Sequence, residues 1–306
     1  MAKTSTLLVQ QSDEFWQDLS TRLSALDLPP RWKAFEERIR NSCDLNEIYD
    51  TDDFQKVKAF GHYPGLSAKP IYDVTRFNFT TVLEAASEDI RVELEKFLED
   101  AKEETEENRI GRVDHNLGCS EDTWSTQFFN GSYGESFNGI ALIRNGEKMS
   151  RISPSFPRTL SLLDEHGVAG GNRLVFFARQ KAESGIPPHS DCVNYLLTGH
   201  LGVVVPSSVV NSAPCGMSVG GSVYKWEKGK LIIFQNSFPH FTWNESNHDR
   251  ILLYFDFWHP DLLEEERTAL TIFERTRREH EERASQAAQA INPALEELLK
   301  RVHRQV

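Results

Sequence analysis

Residues 188–206 read P-H-S-D-C-V-N-Y-L-L-T-G-H-L-G-V-V-V-P, and residues 234–250 read F-Q-N-S-F-P-H-F-T-W-N-E-S-N-H-D-R. His189 and Asp191 form an H-x-D pair. In an extended strand, residues two apart point to one face, so an imidazole and a carboxylate there can converge on one ion. His240, on a strand paired nearby, can supply a third ligand. Two histidines and one carboxylate on one side of a metal form the facial triad of non-haem Fe(II) oxygenases, which leaves coordination positions open. Arg250 lies ten residues after His240 and opens the apolar run I-L-L-Y-F-D-F-W. A cation at the mouth of a buried strand needs an anionic partner, and a guanidinium suits a carboxylate bidentately.

H-x-D, a distal histidine and then arginine is the order expected of an Fe(II)/2-oxoglutarate dioxygenase. The surrounding pieces add H-L-G-x-V-x-P at 200–206, W-E-K-G-K at 226–230, S-F-x-H-x-x-W at 237–243 and W-H-P at 258–260. Together they resemble the aspartyl/asparaginyl β-hydroxylase family over a stretch from near Pro70 to near Pro260.

Carried over position by position, the resemblance implies His189, Asp191 and His240 as iron ligands and catalytic centre. It implies Arg250 as the grip on the far carboxylate of 2-oxoglutarate, and His200 and Thr198 at the metal-side carboxylate. The implied co-substrates are 2-oxoglutarate, chelating the metal through its oxo group and one carboxylate, and O2. Thr198 stands where family members often carry an arginine, and Ala178 where some carry a serine assisting Arg250. At Asp191 the animal peptide-modifying members have glycine, whereas others, including bacterial lipid-modifying ones, are acidic. Asp191 fills the position that halide takes in related halogenases, so hydroxylation is the expected outcome.

Short strands from 124 onwards, with turn signals at Asn145-Gly146 and in E-K-G-K, predict a mainly β chain. With the triad, that means a double-stranded β-helix, or jelly roll. Flanking helices are expected at both ends. Residues 1–69 form a helical N-terminal extension, 70–260 the dioxygenase domain, and 261–306 a C-terminal helical extension packed on the core. Within the first, Ser12 caps a helix bearing Phe15, Leu19, Leu23 and Leu26, and Pro30 starts a second with Trp32, Phe35 and Ile39. One long amphipathic helix is expected over 80–107, with Leu83, Ile90, Leu94 and Leu98 inward, and a last helix is expected to start at Asn292-Pro293.

A net charge of −12 over 306 residues argues against nucleic acid as partner. The four cysteines, Cys43, Cys119, Cys192 and Cys215, are scattered and read as reduced thiols. With no signal segment and no apolar run that spans a membrane, a cytoplasmic location without a membrane partner is expected. The substrate is expected to be a small molecule, amino-acid-like or a specialised metabolite. Arg173, Arg179, Gln180 and Trp124, with Gln127 and Asn138, are candidate wall residues. Alternatives are Asp/Asn side chains of a cytosolic protein, a jelly-roll metalloenzyme that does not use 2-oxoglutarate, and a catalytically dead binding module. The fixed offset of Arg250 speaks against the second of these, and the intact H-x-D…H against the third. A homodimer contact through the terminal helices is a further expectation.

Overall fold

The computed structural model describes residues 12–42, 48–103, 136–168, 174–207 and 214–303, with 102–103 and 288–303 as helix backbone alone. It divides into two compact units, residues 1–49 with 58–65 and 261–306, and residues 50–57 with 66–260.

The first unit is helical. Helix α1 (Asp13–Leu23) starts at Ser12, whose hydroxyl accepts from the Phe15 N–H at 3.2 Å, and Asp13 and Glu14 in its first turn complement the helix dipole. Leu26, expected on this face, lies beyond the end of α1. Helix α2 (Pro30–Asn41) starts on a proline, whose missing N–H costs nothing at that position. Both bury an apolar stripe, Phe15, Leu19 and Leu23 from α1 and Trp32, Phe35 and Ile39 from α2. The rings of Phe15 and Phe35 meet Phe273 edge-on, at 6.2 and 5.3 Å between centroids. Phe273 belongs to a long C-terminal helix, Glu264–His303. The sequence at both ends of the chain therefore shares one core, instead of forming two separate extensions. The long helix also runs through Asn292-Pro293 without the expected restart.

Helices α3 (Thr80–Ala85) and α4 (Ser87–Glu103) belong to the β unit. The single helix expected over 80–107 is broken at Ala86, and nothing in Ala85-Ala86-Ser87 demands the break. Helix α5 (Pro157–Glu165) follows, and the C-terminal helix is α6. Strands β1 (Ile48–Asp50) and β2 (Lys56–Lys58) make a small ribbon. Then follow β3 (Ile71–Tyr72), β4 (Phe137–Arg144), β5 (Glu147–Lys148), β6 (Leu174–Gln180), β7 (Ser184–His189), β8 (Leu196–Val204), β9 (Cys215–Val219), β10 (Ser222–Lys225), β11 (Leu231–Phe234), β12 (His240–Asn244) and β13 (Arg250–Trp258). Asn145 and Gly146 both have positive φ, 53° and 81°, as the tight hairpin between β4 and β5 requires.

These strands form two antiparallel sheets, one ordered β3-β11-β8-β13-β6-β4-β5 and the other β10-β9-β12-β7. From β6 to β13 the chain crosses repeatedly between them, which is the winding of a jelly roll. The larger sheet is buried on both faces. Its outer face carries Val175, Phe177, Leu197, Leu201, Leu253 and Phe255, packed with Leu83, Ile90, Leu94 and Leu163 of the helices. Gly199 lies opposite Phe255 in register, and a Cβ there would meet the Phe255 ring at 2.3 Å, so only glycine lets that ring lie flat on the sheet. The inner face carries Phe176, Ala178, Gln180, His200, Leu252, Tyr254 and Arg250. Strand alternation thus separates core from site residue by residue. Among the described residues no helix is long and apolar enough to cross a membrane.

Candidate active site

The metal-ligating atoms of His189, Asp191 and His240 lie within 4.8 Å of one another. His189 ends β7 and His240 begins β12, and the two are direct partners in the ladder. Their rings sit 4.2 Å apart between centroids. The Nδ1 of His189 lies 2.8 Å from the Pro187 carbonyl, and that of His240 lies 2.9 Å from the Phe238 carbonyl. A carbonyl only accepts, so each Nδ1 carries the hydrogen and each Nε2 the lone pair, the tautomer a metal needs. Burial lowers the His240 pKa, against the pull of Asp191, and that favours the neutral ligand. Two imidazole lone pairs and an exposed carboxylate, brought to one point, fit Fe(II).

Asp191 reaches this point by a route other than the expected one. The strand ends at His189, and Cys192 has φ +64°, so alternation along a strand is not what places it. The Asp191 N–H donates to the Asn236 carbonyl at 3.0 Å. The Ser190 hydroxyl lies 2.8 Å from the Lys56 carbonyl and 2.9 Å from that of Ser237, and accepts from the Cys192 N–H. Gln55 accepts from the Ser237 hydroxyl at 2.6 Å. The turn that bears Asp191 is thus tied to the loop that leads into His240.

Beside the histidines a cavity runs inward between the sheets. It is lined by Phe137, Phe176, Ala178, Ile186, Phe234, Thr242 and Tyr254, with His200 and Arg250. Arg250 is only 1% exposed. Its guanidinium lies over the Trp226 ring at 4.3 Å and donates to Gln180 Oε1 at 2.5 Å, while its Nε has no hydrogen-bond partner. Among the described residues it pairs with no carboxylate, and burial pushes its pKa down to about 9 despite the neighbouring Cys215 thiol. His200 is packed among Trp226, Phe234 and Tyr254. Burial, then Arg250 and His240, hold its pKa well below the ordinary range, so its imidazole is neutral. Its Nδ1 is buried without a partner.

The remaining candidates separate. Thr198 is not in the cavity wall, because its hydroxyl donates to Asp256 at 2.9 Å and accepts from Asn236 at 3.0 Å. It belongs to a buried network in which Tyr254 also donates to Asp256, at 2.8 Å. Arg179 lies on the opposite face of β6 from Ala178 and Gln180, with its Nε on Asn138 at 2.7 Å and Asp249 at 3.9 Å, so it is no part of this wall. Gln180 is fully buried behind Arg250 instead of standing at a substrate surface. Arg173, Trp124 and Gln127 lie outside the described residues, as do Cys43 and Cys119. Cys192 and Cys215 are buried thiols. Tyr254 and Trp226 are quoted in sequence motifs but not nominated as site residues. Tyr254 was within reach of the sequence, since it shares a strand face with Arg250, whereas nothing local announces that Trp226 will stack there.

The family model described as aspartyl/asparaginyl beta-hydroxylase matches residues 84–260. Among curated proteins, the chain is 28% identical to a mouse aspartyl/asparaginyl beta-hydroxylase over 133 residues, 43% of this chain but 17% of that protein. It is 26% identical to the ornithine lipid ester-linked acyl 2-hydroxylase of Rhizobium tropici over 198 residues, 65% of this chain and 63% of the other. It is 29% identical to human aspartate beta-hydroxylase domain-containing protein 2 over 135 residues, 42% and 35% of the two chains. The chain thus matches less than a fifth of the mouse protein's length. A 2OG-Fe(II) oxygenase family oxidoreductase from Burkholderia pseudomallei aligns structurally over 40% of this chain and 69% of its own, at 17% identity and a TM-score of 0.32.

Proposed function

The chain belongs to the aspartyl/asparaginyl beta-hydroxylase family, and from that membership we propose that it is an Fe(II)- and 2-oxoglutarate-dependent dioxygenase. Its reaction would hydroxylate an unactivated C–H bond of a small amino-acid-like or specialised-metabolite substrate. The observation that carries this reading is Arg250. A guanidinium buried to 1% exposure, with no carboxylate partner among the described residues, is costly. It becomes favourable when a ligand carboxylate arrives, and the cavity leads from it to the histidines.

His189, Asp191 and His240 would hold Fe(II), which with the oxo acid and O2 supplies the oxidising power for C–H hydroxylation. The work of the chain is positioning. The Pro187 and Phe238 carbonyls fix the two imidazoles. Arg250 binds the far carboxylate of the oxo acid. Neutral His200, with a hydrogen bond still to make, faces its metal-side end. Phe137, Phe176, Ile186 and Phe234 keep water from the methylenes between. A second reading, oxidation of an acyl chain, is favoured by the breadth of the match to the Rhizobium tropici lipid hydroxylase, 65% of this chain.

Anaerobic titration with Fe(II) and 2-oxoglutarate tests the proposal. A weak visible charge-transfer band should develop with saturating co-substrate. Iron binding without such a band would dismiss 2-oxoglutarate; where the band develops, succinate released in air with each candidate amino acid or acyl substrate separates the two substrate readings.

A further inference from the structure

The arginine on which the proposed reaction depends is itself held by a side chain. Gln180 stands opposite Arg250 in the register of β6 and β13. Three neighbours settle the orientation of its amide. The Ser184 carbonyl can only accept, so it faces Nε2, at 3.0 Å. The guanidinium can only donate, so it faces Oε1, at 2.5 Å. The Thr242 hydroxyl donates to the same oxygen at 3.1 Å. Gln180 is 0% exposed, so none of these bonds is shared with bulk water. Among the described residues, Gln180 Oε1 is the acceptor that the guanidinium donates to, and Ala178, next along the same strand face, offers no acceptor.

We infer that Gln180 is the positioning residue for Arg250, fixing one edge of the guanidinium so that the rest presents to the far carboxylate of the oxo acid. This rests on the co-substrate reading above. The amide is chemically apt because it accepts without carrying charge. It orients the cation and leaves the charge unspent. A carboxylate at the same place would form an internal ion pair and compete with the incoming ligand.

The test uses the full chain loaded with Fe(II) under anaerobic conditions. Binding of 2-oxoglutarate is read from the charge-transfer band, which needs no turnover. Gln180→Met, close in volume but without the acceptor, should weaken 2-oxoglutarate binding roughly ten- to a hundredfold, the range for losing a hydrogen bond to a charged group. Fe(II) affinity should be unchanged, while the thermal midpoint falls, because the buried Ser184 carbonyl and Thr242 hydroxyl lose their partner. In turnover, KM for 2-oxoglutarate should rise while kcat at saturation is retained. Gln180→Glu should weaken binding further than Gln180→Met. Ala178→Ser added to Gln180→Met should recover part of the loss, because position 178 is the diagonal neighbour of Arg250 across the ladder. Binding within twofold of wild type in both Gln180 variants, with Arg250→Ala defective, would overturn the inference alone. Fe(II) affinity falling in step with 2-oxoglutarate affinity would also overturn it, by showing a general structural role. Unchanged binding in Arg250→Ala would remove the co-substrate reading itself.

Discussion

His189 and His240 are direct partners across the β7–β12 ladder, and each ring is held through Nδ1 by the carbonyl two residues before it. The two ligands are thus built by the same device, and neither side chain has to be ordered when a metal arrives. His189→Ala and His240→Ala should each abolish Fe(II) binding and turnover while leaving the thermal midpoint within a few degrees of wild type. Equilibrium dialysis with Fe(II), alongside circular dichroism melting, checks this. Iron retained at full stoichiometry in either variant would remove the assignment.

Asp191 is held by its surroundings more than by its strand. Asp191→Gly should weaken Fe(II) binding without eliminating it, since two ligands remain. Ser190→Ala removes the hydroxyl that joins the Asp191 turn to the Lys56 and Ser237 carbonyls. Loss of such an outer partner lowers metal affinity by about 10–100-fold. Competition with a chromophoric chelator measures both, and an Asp191→Gly protein that binds Fe(II) as tightly as wild type would show that Asp191 is no ligand.

Arg250→Ala would leave the far carboxylate of a bound oxo acid unpaired in a buried place. Removing one member of a buried charge pair costs roughly 3–5 kcal/mol, or about two to four powers of ten in affinity. KM for 2-oxoglutarate should rise accordingly, with Fe(II) affinity unchanged. Arg250→Lys should fall between, as it keeps the charge and loses the planar fork. Succinate formation against 2-oxoglutarate concentration, for the three proteins, decides it.

The helical unit has its own buried charge. Glu266 pairs with Arg31 and accepts from the Tyr63 hydroxyl at 2.6 Å and the Leu263 N–H at 2.8 Å. Burial works to raise its pKa, but Arg31, Tyr63 and the amide outweigh it and hold the carboxyl below the usual range. A depressed folded-state pKa contributes stability above the unfolded value, and that contribution is lost as pH falls through the folded one. Glu266→Gln should therefore be destabilised by roughly 1–3 kcal/mol at neutral pH, and the gap to wild type should close in acid. Urea unfolding of both proteins down the carboxylate pH range measures the difference, and a gap that widens on acidification would contradict the assignment.

Periodicity and turn chemistry were enough for most strands and for the first two helices, because each is written in residues close together: Ser12 with Phe15, Pro30, and Asn145 with Gly146. The same local rules could not foresee the break at Ala86. They also misplaced Arg179, which its neighbourhood in sequence nominated, and the family resemblance placed Thr198 at the metal-side carboxylate. In β6 a shift of one position moves a side chain to the other face of the sheet, and Arg179 falls on the wrong side for the cavity. Thr198 does face inward, but Asp256 and Asn236 claim its hydroxyl first.

The sequence nominates His189, Asp191, His240 and Arg250 because the proposed chemistry demands particular residue types in a particular order along the chain, and the structure brings the ligating atoms of the first three within 4.8 Å of one another. The jelly roll was legible for a similar reason, since alternation and turn residues are local. What only the tertiary structure decided is how those residues are held. Pairing of β6 with β13 brings Gln180 to Arg250, 70 positions apart, and packing sets Trp226 beneath the same guanidinium. The 50–57 turn reaches the Asp191 loop, and the two ends of the chain meet in one helical core. Each of these depends on contacts between distant segments, and burial, not sequence spacing, determines which polar groups must find one another.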